Sequence, residues 1–228
     1  MAENISLGQT SSQYSKEDYK KLSWDKYEEI LEFLFLKIKN FLKENNLKVN
    51  CVVPILRGGN FAGTYLAYKL GIVKIIPVQY KYFFKQEKEE KIAELRKIFG
   101  LPKDLNLGDK PVILVTENCH CFGTTAQIAI DEIKEQFPNS FVIYVADTVD
   151  YTYKNIKGAD IAFYGILTND TKTLTSEECK NLGVDETTTL FPWEDLEEEW
   201  DIVQCKQTSY QDLDSALNNS ELKKEIKF

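Results

Sequence analysis

Histidine, methionine and paired cysteine motifs are scarce in this chain of 228 residues. It has one histidine, one methionine and five scattered cysteines, without the CxxC spacing of a zinc site or a small disulfide framework. The cysteines are therefore expected to be reduced thiols. The sequence also lacks any apolar run of about 18 residues, and its start, MAENISLGQTSSQ, has neither a basic region nor an apolar core. We expect a soluble, cytoplasmic protein without a membrane partner.

Basic residues are also fewer than acidic residues. The chain has 28 Lys and Arg residues against 36 Asp and Glu residues, which gives a formal net charge of −8. A protein that coats nucleic acid needs clustered cations, so no direct nucleic-acid binding is expected. A composition that is 43% hydrophobic and 12% aromatic is sufficient for a packed core and excludes disorder throughout the chain.

Strand-like and helix-like patterns alternate along the chain. Spacings of three and four residues predict an amphipathic helix from Trp24 to Phe41. Apolar runs predict strands, and those at 49–56 and 111–118 are each followed by a glycine-bearing turn and a helix. A further apolar run lies at 74–84. The strands are expected at 49–56, 111–118, 140–149 and 161–168, and the two helices at 61–71 and 121–137. This order predicts an α/β fold with a mostly parallel, twisted sheet flanked by helices, together with a small hood region.

The domain organisation follows from composition. Residues 1–14 are polar and are expected to form a flexible arm, 15–194 form one domain, and 195–228 form an acidic and polar extension. The extension has a weak helical pattern at 212–228, and it either stays solvated or covers an active site or partner surface. The charged stretch 85–100 is expected to be a solvated face, with a short helix suggested near 92–99.

Two turns at predicted strand ends have the composition of anion sites. Arg57-Gly58-Gly59 combines glycines, which allow close backbone approach, with a permanent bidentate cation. Gly123, Thr124 and Thr125 open the helix after strand 111–118, where amides and hydroxyls favour a phosphate. Each turn has a purely structural interpretation too, as a tight strand-to-helix connection or as a threonine cap.

These motifs together resemble the type I phosphoribosyltransferases, and most closely the xanthine/guanine/hypoxanthine branch. The resemblance rests on VVPILRGGNFAGTYLAYKLG (52–71), PVILVTENCHCFGTTAQIAI (111–130), Ser23-Trp24 and the closing Phe191-Pro192-Trp193-Glu194. Members of that family transfer ribose 5-phosphate from phosphoribosyl pyrophosphate (PRPP) to a base and release pyrophosphate with Mg²⁺ assistance. The resemblance implies a small-molecule nucleotide, PRPP or base as partner, and we expect a homo-oligomer.

The resemblance also implies roles for particular residues. Arg57, Gly58 and Gly59 would bind pyrophosphate, and Trp193 would form part of the base pocket. Glu117 would contact the ribose hydroxyls and lie beside Mg²⁺, which the diphosphate would carry. The 5′-phosphate would be held by the loop formed by Cys121, Phe122, Gly123, Thr124 and Thr125.

The motif around Glu117 departs from the family pattern at three positions. Thr116 replaces one of two adjacent acids, His120 replaces the Asp beside the base, and Phe122 replaces the first loop glycine. Losing a carboxylate removes charge where a cationic transition state develops, so slow or absent transfer is expected. Two functions stay open: a phosphoribosyltransferase, or a catalytically silent sensor or partner subunit that binds a nucleotide or PRPP.

His120 and Trp193 each have two interpretations. His120 is a candidate general base, because imidazole titrates near neutrality, or a loop side chain that fills the place of the aspartate. A metal site or a Cys/His nucleophile at Cys119-His120-Cys121 is disfavoured, because neighbouring residues in an extended loop project in different directions. Trp193 either lines the ligand pocket or packs in the core.

Overall fold

The computed structural model describes residues 15–87, 90–204 and 222–227. The strands are β1 (Tyr19–Lys21), β2 (Cys51–Leu56), β3 (Val78–Glu87), β4 (Glu90–Phe99), β5 (Val112–His120), β6 (Phe141–Asp150), β7 (Ile161–Thr168), β8 (Thr188–Leu190) and β9 (Leu222–Lys227). The helices are α1 (Trp24–Glu44), α2 (Gly59–Leu70), α3 (Thr124–Gln136), α4 (Ser176–Leu182) and α5 (Leu196–Val203). None of the described helices is both long and apolar enough to span a lipid bilayer.

Seven strands form one sheet in the order β7-β6-β5-β2-β3-β4-β9. The pairings from β7 to β3 are parallel, whereas β4 pairs antiparallel with both β3 and β9. The predicted α/β fold with a mostly parallel sheet is therefore confirmed. A separate pair, β1 and β8, forms a short parallel sheet.

Helices cover both faces of the large sheet. On one face, Ile130 and Ile133 of α3 pack against the core strands. On the other, Leu34 and Ile38 of α1 join Leu66 of α2 in a second apolar cluster. Because crossover helices cover both faces, the central strands are apolar along almost their full length, as the burial of β2 shows. This arrangement brings the carboxyl ends of β2 and β5 to one edge of the sheet.

The short helix suggested near 92–99 is wrong, because this segment is strand β4. Its backbone pairs with β3, with Leu95 opposite Tyr82, and Leu95 is completely buried in the core. Pairing between strands and burial here outweigh a local helical spacing. The helical pattern at 212–228 is likewise wrong for Leu222–Lys227, which form β9. The predicted arm at 1–14 and residues 205–221 of the extension lie outside the described residues.

Candidate functional site

A cavity of about 270 Å³ lies beside the carboxyl end of β5. Its walls come from β3, from the turn between β5 and α3, from β8 with the Phe191-to-Glu194 segment, and from α5. Several of its side chains are aromatic: Tyr19, Tyr82, Phe84, Phe122 and Phe191. In an open parallel sheet, this edge is where ligands bind.

All five residues of the predicted phosphate loop, 121–125, line the cavity. Gly123 adopts a left-handed backbone with φ of 70°, and α3 begins at the next residue. A side chain at Gly123 is excluded, since its Cβ would lie 2.4 Å from Nε2 of His120. The start of a 13-residue helix carries partial positive charge and unpaired amides, which suit a phosphate. Thr124 and Thr125 add hydroxyl groups at the same place.

The Arg57-Gly58-Gly59 turn is packed tightly against β5. A Cβ on Gly58 would lie 2.1 Å from Cγ of Asn118, and one on Gly59 would lie 2.2 Å from the carbonyl oxygen of Thr116. Both glycines thus have a packing role in connecting β2 to α2, and the peptide bond between Leu56 and Arg57 is cis. Arg57 is exposed and lies outside the cavity wall. Pyrophosphate binding at this turn stays a prediction.

Glu117 begins a buried chain of hydrogen bonds that leads away from the cavity. Its Oε2 lies 2.6 Å from the Tyr144 hydroxyl, which lies 2.8 Å from Nδ1 of His120. The other imidazole nitrogen, Nε2, lies 3.0 Å from the carbonyl oxygen of Tyr153, so Nε2 must donate its proton. The chain therefore connects a carboxyl group in the cavity wall with the backbone of a neighbouring loop.

Two proton arrangements satisfy this chain. Either Tyr144 donates to an ionised Glu117 while a cationic His120 donates to Tyr144, or a protonated Glu117 donates to Tyr144 while Tyr144 donates to neutral imidazole. Burial raises the pKa of Glu117 to about 7 and lowers the pKa of His120 below its usual value. Burial thus favours the arrangement in which both groups are uncharged.

His120 lies beneath the phosphate loop and not in the cavity wall. The imidazole is 2% exposed, and both of its nitrogens have protein partners. Its contact with Gly123 fits the interpretation of a side chain that fills space and supports the loop. The neighbouring Cys119 and Cys121 both line the cavity, whereas His120 does not, so the imidazole lies on the opposite side of the chain from the two thiols. Within the described ranges, no group of three His, Cys, Asp or Glu side chains could hold a metal ion.

The segment that contains Trp193 contributes other side chains to the cavity. Phe191 and Glu194 line it, whereas the Trp193 indole lies outside its wall and stacks on Phe61 at a ring distance of 3.8 Å. Trp193 also stacks on Phe191 at 5.1 Å, within an aromatic cluster that includes Tyr27. The geometry therefore favours the packing interpretation of Trp193, and direct contact with a base stays a prediction.

Glu194 is a cavity residue to which the sequence analysis gave no role of its own. Its Oε1 accepts a hydrogen bond from Asn118 at 3.1 Å, and its Oε2 accepts one from the Phe191 amide at 2.8 Å. Burial raises the pKa of Glu194 to about 7. Asp170 also lines the cavity, and burial raises its pKa to about 6. Glu194 is the last residue of the FPWE motif, which was its only signal in the sequence, and nothing in the sequence pointed to Asp170.

Neither a protein-family model nor a curated protein sequence matches this chain. Its fold is nevertheless similar to solved structures. A purine phosphoribosyltransferase from Pyrococcus horikoshii Ot3 matches 78% of this chain and 95% of its own, with 15% identity and a TM-score of 0.55. Xanthine-guanine-hypoxanthine phosphoribosyltransferase from Helicobacter pylori matches 77% of this chain and 93% of its own, with 12% identity and a TM-score of 0.50.

A third structure with this fold is a hypothetical protein from Neisseria gonorrhoeae with bound ppGpp. It matches 81% of this chain and 94% of its own, with 17% identity and a TM-score of 0.59. At these identities the comparisons show the fold alone. The resemblance to phosphoribosyltransferases is thus confirmed at the level of the fold.

Proposed function

We propose that the protein binds a 5′-phosphorylated ribose, as found in a nucleotide or in PRPP, with the phosphate at residues 121–125. The observation that carries this proposal is the start of α3, where Gly123, Thr124 and Thr125 line a cavity at the end of β5. Backbone amides and hydroxyls at a helix start are suited to a phosphate. A fold shared with purine phosphoribosyltransferases supports the same choice of ligand.

The rest of the cavity suits the other parts of such a ligand. The Glu117 carboxyl group lies in the wall near the loop and is able to exchange hydrogen bonds with ribose hydroxyls. The aromatic rings of Phe84, Phe122 and Phe191 offer apolar faces for a planar base. Trp193 would influence the base through Phe191, on which it stacks. Homo-oligomerisation and cytoplasmic localisation stay predictions.

The geometry best supports a protein that binds the ligand without efficiently transferring its phosphoribosyl group to a base. Thr116 is completely buried and donates to the Gly59 carbonyl, so no acid accompanies Glu117 in the cavity at that position. His120 is directed beneath the loop and away from the cavity. The alternative is an active phosphoribosyltransferase, in which Glu117 alone would stabilise the charge that develops on the ribose.

Mg²⁺ would have to arrive with the ligand. No three ligating side chains converge in the part of the chain that the structure describes, and Glu117 already shares a hydrogen bond with Tyr144. A diphosphate would supply the oxygen ligands that Mg²⁺ prefers, and Glu117 could contact the hydrated ion. We therefore propose that Mg²⁺ affects the binding of PRPP and has little effect on that of nucleoside monophosphates.

Calorimetric titration of the double variant Thr124→Ala, Thr125→Ala tests the phosphate site. The ligands are GMP, IMP, AMP, ppGpp and PRPP, each with and without Mg²⁺. We expect the best nucleotide to bind about tenfold more weakly to the double variant, because two hydroxyl donors to a charged phosphate are lost. The melting temperature should change little, because the N-cap of α3 is Gly123 and both threonines lie in the cavity wall rather than in the core.

Thr64→Ala is the matched control, because Thr64 is an exposed helical threonine outside the cavity. It should bind the nucleotide as the wild type does. Equal affinity of the double variant and the wild type would contradict the phosphate site. An assay of the wild type with a base and PRPP distinguishes ligand binding alone from phosphoribosyl transfer. Robust formation of the nucleotide with release of pyrophosphate would establish transfer.

A further inference from the structure

The His120 imidazole is fixed by a hydrogen bond at each of its nitrogens. Nδ1 lies 2.8 Å from the Tyr144 hydroxyl, and Nε2 lies 3.0 Å from the Tyr153 carbonyl oxygen. Both His120 and Tyr144 are buried, and neither lines the cavity. Because a carbonyl oxygen only accepts, Nε2 carries a proton and donates it to Tyr153. The two hydrogen bonds together determine the orientation of the ring.

The fixed imidazole supports the loop at 121–125 at two points. Gly123 lies directly against the ring, since a Cβ on this glycine would be 2.4 Å from Nε2 and 2.5 Å from Cε1 of His120. Tyr153, which accepts the hydrogen bond from Nε2, packs edge-on against the Phe122 ring at a centroid distance of 5.2 Å. Phe122 and Gly123 directly precede α3, so their positions determine where the first amides of that helix point.

Phosphate binding at the start of α3 depends on how accurately this loop is placed. The described lining of the cavity contains no Lys, Arg or His, so a phosphate there would rely on amides and hydroxyl groups. Hydrogen bonds from such groups weaken steeply when donor and acceptor are misaligned. A loop that is ordered before the ligand arrives also loses less conformational entropy on binding. A buried support beneath the loop would therefore increase affinity.

We infer that Tyr144 and His120 are positioning residues for phosphate binding, which hold the loop at 121–125 in its binding conformation from beneath. This inference rests on the proposed function and adds to it two buried side chains that would not touch the ligand. Tyr144 orients the imidazole, and the imidazole supports the loop. The Tyr144 hydroxyl also lies 2.6 Å from Oε2 of Glu117 in the cavity wall, so that carboxyl group and the loop share one support.

Calorimetry on Tyr144→Phe and on the matched control Tyr80→Phe tests this support. Each substitution removes a tyrosine hydroxyl that lies 2.6 Å from a glutamate oxygen, of Glu117 for Tyr144 and of Glu132 for Tyr80. Glu132 belongs to α3, but neither it nor Tyr80 lines the cavity. With GMP and inorganic phosphate as probes, we expect Tyr144→Phe to bind both about tenfold more weakly than the wild type. Tyr80→Phe should stay within about twofold of the wild type.

Nuclear magnetic resonance shows whether the loss of affinity arises from His120. This residue is the only histidine of the chain, so its imidazole signals identify themselves. In the wild type we expect an Nε2 proton that is protected from exchange with water, because His120 is buried and Nε2 is bonded to the Tyr153 carbonyl. The protection should be lost in Tyr144→Phe and kept in Tyr80→Phe. A role of Tyr144 in stability alone would leave it unchanged.

Tyr144→Phe also removes a partner of Glu117, so a second pair of variants changes His120 alone. A glutamine amide reaches about as far from the backbone as Nε2, whereas an asparagine amide reaches only as far as Nδ1. His120→Gln can therefore donate to the Tyr153 carbonyl and lie beneath Gly123, and His120→Asn cannot. We expect His120→Gln to bind inorganic phosphate within about threefold of the wild type, and His120→Asn to bind it about tenfold more weakly. This pair decides the question even if Tyr144→Phe does not fold.

Three results would overturn the inference. One is wild-type affinity in Tyr144→Phe, with or without the protected Nε2 proton. Another is an equal loss of affinity in Tyr144→Phe and Tyr80→Phe, which would show a general loosening of the fold. The third is equal affinity of His120→Gln and His120→Asn, which would leave the ring with a space-filling role. Failure of the proposed function differs from all three, because then the wild type binds neither GMP nor inorganic phosphate.

Discussion

Replacing Thr116 by aspartate is expected to lower the free energy of unfolding by about 3 to 5 kcal/mol and to yield no gain in phosphoribosyl transfer. Thr116 is completely buried, and its Oγ1 donates to the Gly59 carbonyl at 2.8 Å. A carboxylate there would place negative charge against that oxygen. The larger aspartate would also be crowded by Gly63. That glycine lies so close that a Cβ on it would be 2.7 Å from the Thr116 Oγ1.

Two further variants separate charge from size at this position. Thr116→Asn has the shape of aspartate without its charge, and Thr116→Val has the shape of threonine without its donor. We expect Thr116→Val to cost about 1 kcal/mol, the usual worth of one hydrogen bond, and Thr116→Asn to fall between Thr116→Val and Thr116→Asp. Urea denaturation followed by circular dichroism measures all three. A Thr116→Asp protein with wild-type stability and increased transfer would contradict the expectation.

Parts of the sheet could be predicted where residues close together in the sequence determine the structure. The run at 111–115 is apolar throughout because strand β5 is covered on both faces, and Tyr27, Leu31, Leu34 and Ile38 form the buried side of α1. Strand β4 was missed because its extended form depends on pairing with two other strands, β3 directly before it and β9 far along the chain. Its register with β9, in which Ile92 lies opposite Lys227, joins residues far apart in the chain.

In the candidate site, too, only the features that depend on neighbouring residues could be predicted from the sequence. The place of residues 121–125 beside the cavity could be predicted, because glycine and threonine at a strand-to-helix turn have a local chemical meaning. The direction of a side chain has no such local signal, so the sequence left open whether Trp193 and His120 face the ligand. Glu199 also lines the cavity, and its place there depends on how α5 packs. An acidic helix after the FPWE motif looks solvated when read alone.

Two aspartates on β6 are expected to respond in opposite ways to replacement by asparagine. Asp150 accepts hydrogen bonds from the amides of Thr152 and Thr171 and from the Thr171 hydroxyl. An amide group would turn one of these acceptor oxygens into a donor that faces another donor. We expect Asp150→Asn to lose about 3 kcal/mol of stability, because hydrogen bonds to a buried charged group are lost.

Asp147→Asn is expected to gain stability relative to the wild type as the pH rises. Asp147 is completely buried, accepts one hydrogen bond from the Tyr27 hydroxyl at 2.9 Å, and has no partner for Oδ1 among the described residues. Burial raises its pKa to about 8, whereas an aspartate in the unfolded chain titrates near about 3.9. Between these pH values the folded protein holds a proton that the unfolded chain has released. The free energy of unfolding of the wild type therefore falls with rising pH, by up to about 1.4 kcal/mol per pH unit for this group.

Asparagine at position 147 removes this dependence, because an amide does not titrate. The difference in stability between Asp147→Asn and the wild type should grow by about 2 to 3 kcal/mol from pH 5.5 to pH 7.5. Urea denaturation at several pH values measures it, and other buried acids that titrate in this range, such as Glu117 and Glu194, contribute equally to both proteins. A difference that stays constant across this range would show that Asp147 is ionised in the folded protein, with its charge stabilised by more than the Tyr27 hydroxyl.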